Sequence, residues 1–248
     1  MKYSYTVIRK FLYQIYVLIN KILSSVVWIE IIRSEKHPYK RLKDLNIQTI
    51  IDIWANEWQF LSTFMQIFPN THYHCFEPLS DAFKILQHDF WNKANIQLYN
   101  TWLWADNSVV SINKSEYNPS SSLLEMSDTH KTAFPHTSNS VSEQITIKKL
   151  DDYSINGENL LIKIDTQWYE LEIMKGGTNT IRNAKVCIIE TSVVELYNNQ
   201  PLFDEIYEFM KNLWFEYRWA YDQLKNPHDW SVLQQDVIFI KKIIKKNV

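Results

Sequence analysis

Glycine is the residue this chain most conspicuously lacks. Its 248 residues include 3 glycines, where an average share of roughly 7% would give about 17. Tryptophan, ordinarily scarce, numbers 10. Cysteine is also nearly absent. Cys75 and Cys187 each fall inside an apolar run that reads as a buried strand, which excludes a disulfide framework or a cysteine zinc cluster and fits a reducing cytoplasm. No apolar run reaches the roughly 20 residues needed to span a bilayer, since the longest uncharged stretch near the start covers only residues 11–20. Neither sign of charge dominates. A formal net charge of −2 leaves no electrostatic footprint for nucleic acid, and Lys241, Lys242, Lys245 and Lys246 read as a solvated basic end.

What is present is organised around a strand, a turn and a helix. In Thr49-Ile50-Ile51-Asp52-Ile53 an apolar run closes on an acid. The short loop Trp54-Ala55-Asn56-Glu57-Trp58 follows, and from Phe60 the apolar spacing becomes helical. A turn that opens a helix presents free backbone N–H groups to an anionic ligand, and an acid at the strand tip takes a cation or a hydroxyl. Such turns need glycine wherever the backbone takes positive φ or a ligand approaches closely, and here Trp54 and Trp58 stand in those places.

From residue 49 onward short apolar strands alternate with helical stretches, the pattern of a parallel sheet covered on both faces. Strands are expected at 49–53, 72–76, 96–99, 108–112, 145–149, 160–165, 185–191 and 236–241, and helices at 60–67, 80–89 with Ser80 as N-cap, 169–175 and 202–212. Residues 113–144, rich in Ser, Asn, Thr and Pro, read as a long loop, either disordered or a lid on the substrate side. Residues 1–40 are expected to form an N-terminal helical extension and 41–248 the main domain. Over residues 1–33 the helical spacing fits packing on a protein face, with contact at a membrane surface as the other reading. Lys2, Arg9 and Lys10 precede an apolar run as in a secretory leader, but no small-x-small cleavage site follows.

Three strand tips carry acids. Glu77 follows the second strand at close to the roughly 20-residue offset from the loop at which a nucleotide-binding unit places its ribose acid; the plainer reading is that Glu77-Pro78 begins a helix. Lys163 interrupts the apolar run 160–164 and needs a partner, with Asp165, Glu170 and Glu190 as candidates. Glu190 brings a third carboxylate to the same edge. His72, His74, His88, His130, His136 and His228 are scattered and make no metal-ligand pair on a helix, so they read as structural or surface groups.

In order and spacing these residues resemble the FkbM family of S-adenosylmethionine-dependent methyltransferases. The likeness runs through a D-x-G-A-N-x-G-x-F motif at Asp52 to Phe60, F-E-P at Phe76-Glu77-Pro78, S-S-L at Ser121-Ser122-Leu123 and a leucine-aspartate pair at Leu150-Asp151. It continues with K-I-D-x-x-G-x-E-x-x-x-x-K-G at Lys163 to Gly176, I-E at Ile189-Glu190, L-Y-x-x-Q-P-L-F at Leu196 to Phe203, G-F at Trp214-Phe215 and D-x-x-F at Asp236 to Phe239. The resemblance implies a Rossmann-like class I methyltransferase fold, α/β, with a seven-stranded sheet of six parallel strands and one antiparallel, helices on both faces. It implies S-adenosylmethionine as cofactor and O-methylation of a sugar or another secondary metabolite, with a small-molecule or glycan acceptor. Asp52, Trp54, Asn56 and Trp58 become cofactor positions on the first loop, Glu77 the ribose ligand, Asp106 a ligand on the adenine side, and Asp165 the residue that aligns the acceptor or removes its proton.

Nearly all departures from the pattern are one substitution. Trp54, Trp58, Trp168 and Trp214 stand where the family has glycine, and Trp102 or Trp104, and Trp230, fall at plausible turn glycines. Independent drift would not repeatedly choose the bulkiest residue to replace the smallest. The expectation is that the gene uses UGA for glycine and that the written chain reads it as tryptophan. If the tryptophans are genuine, the protein is instead a catalytically dead binding protein. A nicotinamide-dependent dehydrogenase would need G-x-G-x-x-G, which the acid-led Asp52 loop fits poorly.

Overall fold

The computed structural model of the protein describes residues 38–55, 59–115, 140–167, 169–197 and 199–242. The chain divides into two units after Asp44. The described part opens with a 3-10 turn, Pro38–Leu45, and the helical extension expected before it lies outside the described residues. Among the described residues no helix is long and apolar enough to cross a membrane.

The second unit is built on strands whose sequences leave them little choice. Thr49–Ile53 (β1) and Leu160–Ile164 (β7) are rich in β-branched and aliphatic side chains and are buried at every residue, and Val186–Ser192 (β8) is buried at all but Glu190. Strands apolar on both faces belong at the centre of a covered parallel sheet. With His72–Phe76 (β2), Ile96–Tyr99 (β3), Phe215–Lys225 (β9) and Val232–Lys241 (β10) they form one sheet in the order β3-β2-β1-β7-β8-β10-β9. The β3–β2, β2–β1, β1–β7 and β7–β8 pairings are parallel, and β10 runs antiparallel to both neighbours. Six strands therefore share one direction and one opposes them.

Helices Gln59–Ile67 (α1) and Ser80–Phe90 (α2) connect β1 to β2 to β3, outward in one direction. Glu170–Gly176 (α3), Thr178–Asn183 (α4) and Phe203–Asn212 (α5) connect β7 to β8 to β9, outward in the other. Because such crossovers are right-handed, opposite directions of travel put the two helix sets on opposite faces. The main core confirms one of them: Ile51, Ile53, Ile162, Ile164 and Ile189 pack with Ile173, Met174, Ile181, Ile206 and Met210 of α3, α4 and α5. Each fully buried side chain of this kind contributes roughly 1.5–3 kcal/mol.

Three expectations are corrected. Ser80 is the first helical residue, not the cap; Leu79 holds the cap position, and its N–H donates to Glu77 Oε1 at 2.7 Å. The stretches 108–112 and 145–149 do not join the parallel sheet. Ser108–Ser115 (β5) and Ser140–Lys148 (β6) pair antiparallel, and with Trp102–Leu103 (β4) they make a separate three-stranded sheet. The expected loop 113–144 is thus strand at both ends, and its centre, 116–139, lies outside the described residues. Ser108–Ser115 carries a short apolar stretch like those of the parallel strands, and spacing alone does not separate an antiparallel pair from the parallel set; the pairing of Ser108–Ser115 with Ser140–Lys148 does.

Candidate functional site

The sheet order turns between β1 and β7, whose connections leave in opposite directions. Ligands of open α/β sheets bind outside the strand C-termini at such a switch point. Two clusters meet there, one charged and one aromatic.

The charged cluster starts from register. Asp52 and Lys163 are Cα partners in the β1–β7 pairing, and the two-residue period of a strand turns both side chains to the face opposite Ile51, Ile53, Ile162 and Ile164. Lys163 Nζ lies 3.7 Å from Asp52 Oδ1 and 3.1 Å from Asp165 Oδ2, with the Phe60 ring of α1 at 4.9 Å. Burial lowers the basicity of Lys163, but Asp165, Asp52 and Asp236 more than offset it, so the ammonium is held charged. Asp52 is wholly buried, and neither of its oxygens has a hydrogen-bond partner among the described residues. Burial raises its pKa to about 6 from the ordinary 3.8, against the pull of Lys163 and with a smaller push from Asp165. Of the partners expected for Lys163, Asp165 is found. Asp52 is an addition that no local pattern announces, and Glu170 is otherwise engaged, accepting from the Thr166 N–H at 2.9 Å and the Thr166 hydroxyl at 3.1 Å.

A pH dependence follows from Asp52. The native carboxyl keeps its proton up to about pH 6 and the unfolded one releases it near 3.8, so between these values the native state holds the extra proton. The stability gained is complete below about pH 4 and is lost as pH rises through about 6. In Asp52→Asn this fall is expected to disappear from urea midpoints measured between pH 4 and pH 7; an unchanged slope would remove Asp52 as its source.

The aromatic cluster occupies the tips of β1 and β2. Beyond Ile53 the chain turns back, with the N–H groups of Trp54 and Ala55 both donating to the Phe76 carbonyl at 2.9 Å. Trp54 has φ of 69° and its indole is buried against Trp102, edge to face with centroids 4.3 Å apart. Leu79, Ala82 and Ile147 complete the cluster, with Trp104 and Tyr169 packed beside it. Only about 10 Å³ remains among Trp54, Phe76, Thr101, Leu103 and Thr166, room for one water at most.

Glu77 is wholly buried at the β2 tip, and one carboxylate oxygen receives the Leu79 N–H at 2.7 Å. Asp106 stands apart on the turn after β4, its side chain 83% exposed and 3.3 Å from Lys149. Asn56, Trp58 and Trp168 lie outside the described residues.

Beside the β7 tip is a cavity of about 340 Å³. Asp165 and Glu190 form one wall; Asp222, Gln223, Gln234, Gln235 and Asp236 of the β9–β10 hairpin form another. Glu190 pairs across strands with Asp236 and receives Gln167 Nε2 at 3.4 Å. Burial first, then Asp165, Glu170 and Asp236, pushes its carboxyl well above the usual range, against the pull of Lys163. Sequence reasoning found Asp165 and Glu190 but missed the hairpin wall, because β9 is exposed along most of its length and carries no apolar run to mark it.

A model of the methyltransferase FkbM domain matches residues 49–217. No curated protein matches the chain in sequence. Among solved structures, the chain is similar to methyltransferase FkbM from Methylobacillus flagellatus KT, with 12% identity over 77% of this chain and a TM-score of 0.46. The match covers 44% of that longer protein. It is also similar to precorrin-6y C5,15-methyltransferase from Geobacter metallireducens GS-15, at 12% identity over 81% of this chain and 85% of that one, TM-score 0.42. A TehB-like SAM-dependent methyltransferase from Corynebacterium glutamicum is 10% identical over 92% and 97% of the two chains, TM-score 0.44.

Proposed function

The chain belongs to the FkbM methyltransferase family, and from that premise we propose that it is an S-adenosylmethionine-dependent O-methyltransferase whose acceptor is a hydroxyl of a sugar or another secondary metabolite. The observation that carries the acceptor reading is the cavity at the β7 and β8 tips. Its volume of about 340 Å³ suits a small molecule, and its carboxylates and carboxamides offer many hydrogen-bond acceptors to a polyhydroxylated one. In this reading Asp165 aligns the acceptor hydroxyl and takes its proton, which is supported by its position on the cavity wall and by Lys163 Nζ 3.1 Å from its carboxylate.

The chain as written does not fit the cofactor. In this reading Glu77 and Asp52 are the cofactor's polar ligands, but the Trp54 indole is buried against Trp102 at the tips of β1 and β2, and about 10 Å³ is left among the residues around it. That filled cleft favours a second reading, a binding protein without methyl transfer, for a polypeptide that truly carries Trp54.

Both assignments are tested in protein carrying glycine at positions 54, 58 and 168. There Glu77→Ala is expected to weaken S-adenosylmethionine about 10- to 150-fold by calorimetry, the equivalent of roughly 1.5–3 kcal/mol for a hydrogen bond to a charged group. Asp165→Asn is expected to leave that affinity nearly unchanged and to lower turnover about 10²–10⁴-fold, because a group acting on the acceptor counts mainly in the transition state. Loss of cofactor binding with turnover at saturation intact would reverse the role given to Asp165.

A further inference from the structure

We infer that the polypeptide made in its own cell carries glycine at positions 54, 214 and 230, and that the gene encodes it there by UGA codons read as glycine. The backbone says so at three separate places. Among the described residues, those with positive φ other than glycine include Asn46, Asn159, Asn199 and Asp222, of the types that best tolerate the left-handed region, together with Ser154 and Gln167, which are polar and far smaller than an indole. Trp54, Trp214 and Trp230 are there too, at φ of 69°, 65° and 64°. A bulky aromatic is a genuine outlier in that region. None of the chain's own glycines occupies it.

Each of the three is a position whose local geometry asks for glycine by a different rule. Trp54 turns the chain off the end of β1 so that two successive N–H groups reach the Phe76 carbonyl, the sharp strand-to-helix turn of a nucleotide-binding loop. Trp214 directly follows Leu213, the C-cap of α5, and its N–H closes on the Lys211 carbonyl at 3.0 Å; left-handed termination at that place is the commonest use of glycine at a helix end. Trp230 closes the β9–β10 loop, its N–H bonded to the Asn226 carbonyl at 2.9 Å, so that it is the left-handed residue ending a single helical-type turn, a place that favours glycine.

Packing gives no reason for tryptophan at two of them. Trp214 is 61% exposed and Trp230 74% exposed, and Lys225 lies 5.8 Å from the Trp230 ring. Trp102 differs in its backbone, being buried within β4 with no left-handed φ, and its indole N–H is buried without a hydrogen-bond partner among the described residues. Backbone conformation gives no sign of glycine at Trp102 or Trp104, and the inference is confined to positions 54, 214 and 230. True glycine survives as well: a Cβ at Gly176 would overlap the Trp104 carbonyl oxygen. Glycine demand is thus met in part by glycine and in part by written tryptophan, the pattern expected when one of several glycine codons is misread. At position 54 the inference removes the indole that closes the cleft, a consequence that rests on the methyltransferase reading; positions 214 and 230 do not depend on it.

The test reads the gene and the protein together. Codons 54, 214 and 230 are expected to be UGA, and peptides of the protein purified from its source cells are expected to show the glycine mass at all three in a tandem mass spectrum. UGG at any of the three, or a tryptophan mass at a UGA position, overturns the inference. Because neither readout involves cofactor or acceptor, failure of the methyltransferase reading leaves this result standing, and the reverse also holds.

Discussion

Trp54→Gly, Trp58→Gly and Trp168→Gly combined are expected to convert a chain that does not retain S-adenosylmethionine into one that binds it with a Kd in the micromolar range, about −8 kcal/mol. The gain comes from space: the Trp54 indole occupies the tips of β1 and β2, where only about 10 Å³ is left. Magnitudes also settle the sign of the stability change. Relieving a left-handed non-glycine residue recovers about 1–2 kcal/mol, while deleting a large buried aromatic costs about 3–5 kcal/mol. Trp54 is 6% exposed, so the ligand-free triple variant should be less stable than the written chain by a few kcal/mol. Saturating cofactor at about 100 times its Kd should then return about 2.7 kcal/mol. Calorimetry and thermal unfolding with and without ligand decide the matter. A folded triple variant that still takes up no S-adenosylmethionine would leave the binding-protein reading in its place.

Removal of the Lys163 ammonium should be the most damaging change in the core. Lys163→Met leaves Asp52 buried with no counter-charge and Asp165 without its 3.1 Å partner, and breaking a buried ion pair on one side typically costs about 3–5 kcal/mol. Asp52 limits that loss by taking up a proton, which it already does at about pH 6. Destabilisation should therefore be smaller at pH 5 than at pH 8, with a fall in Tm of about 10 °C at the higher pH. Asp52→Asn added to Lys163→Met should recover much of the loss. Urea unfolding of the two single variants and the double variant at both pH values checks this, and a double variant no better than Lys163→Met alone would show that the pair is not coupled.

Residues close in sequence settled much of this protein by themselves. The limits of β1, β2 and β3, the acids at the strand tips and the alternation of strands with helices were legible because a buried parallel strand is a short apolar run bounded by breakers, a purely local signal. The mismatch between glycine and tryptophan was legible for the same reason, since motif spacing needs no third dimension. What only the tertiary structure decided depends on register between distant segments. Asp52 meets Lys163 because β1 and β7 pair in one particular alignment, and neither strand's sequence states it. The hairpin wall of the cavity comes from β9 and the first half of β10: β9 is exposed along most of its length with no apolar run to mark it, and Gln234 and Gln235 precede the apolar stretch by which β10 was legible. The sign of φ at Trp54, Trp214 and Trp230 likewise follows from where the chain must go next, into a helix, out of one and round a hairpin, and it is this geometry that separates them from Trp102, a residue of the same type with an ordinary backbone.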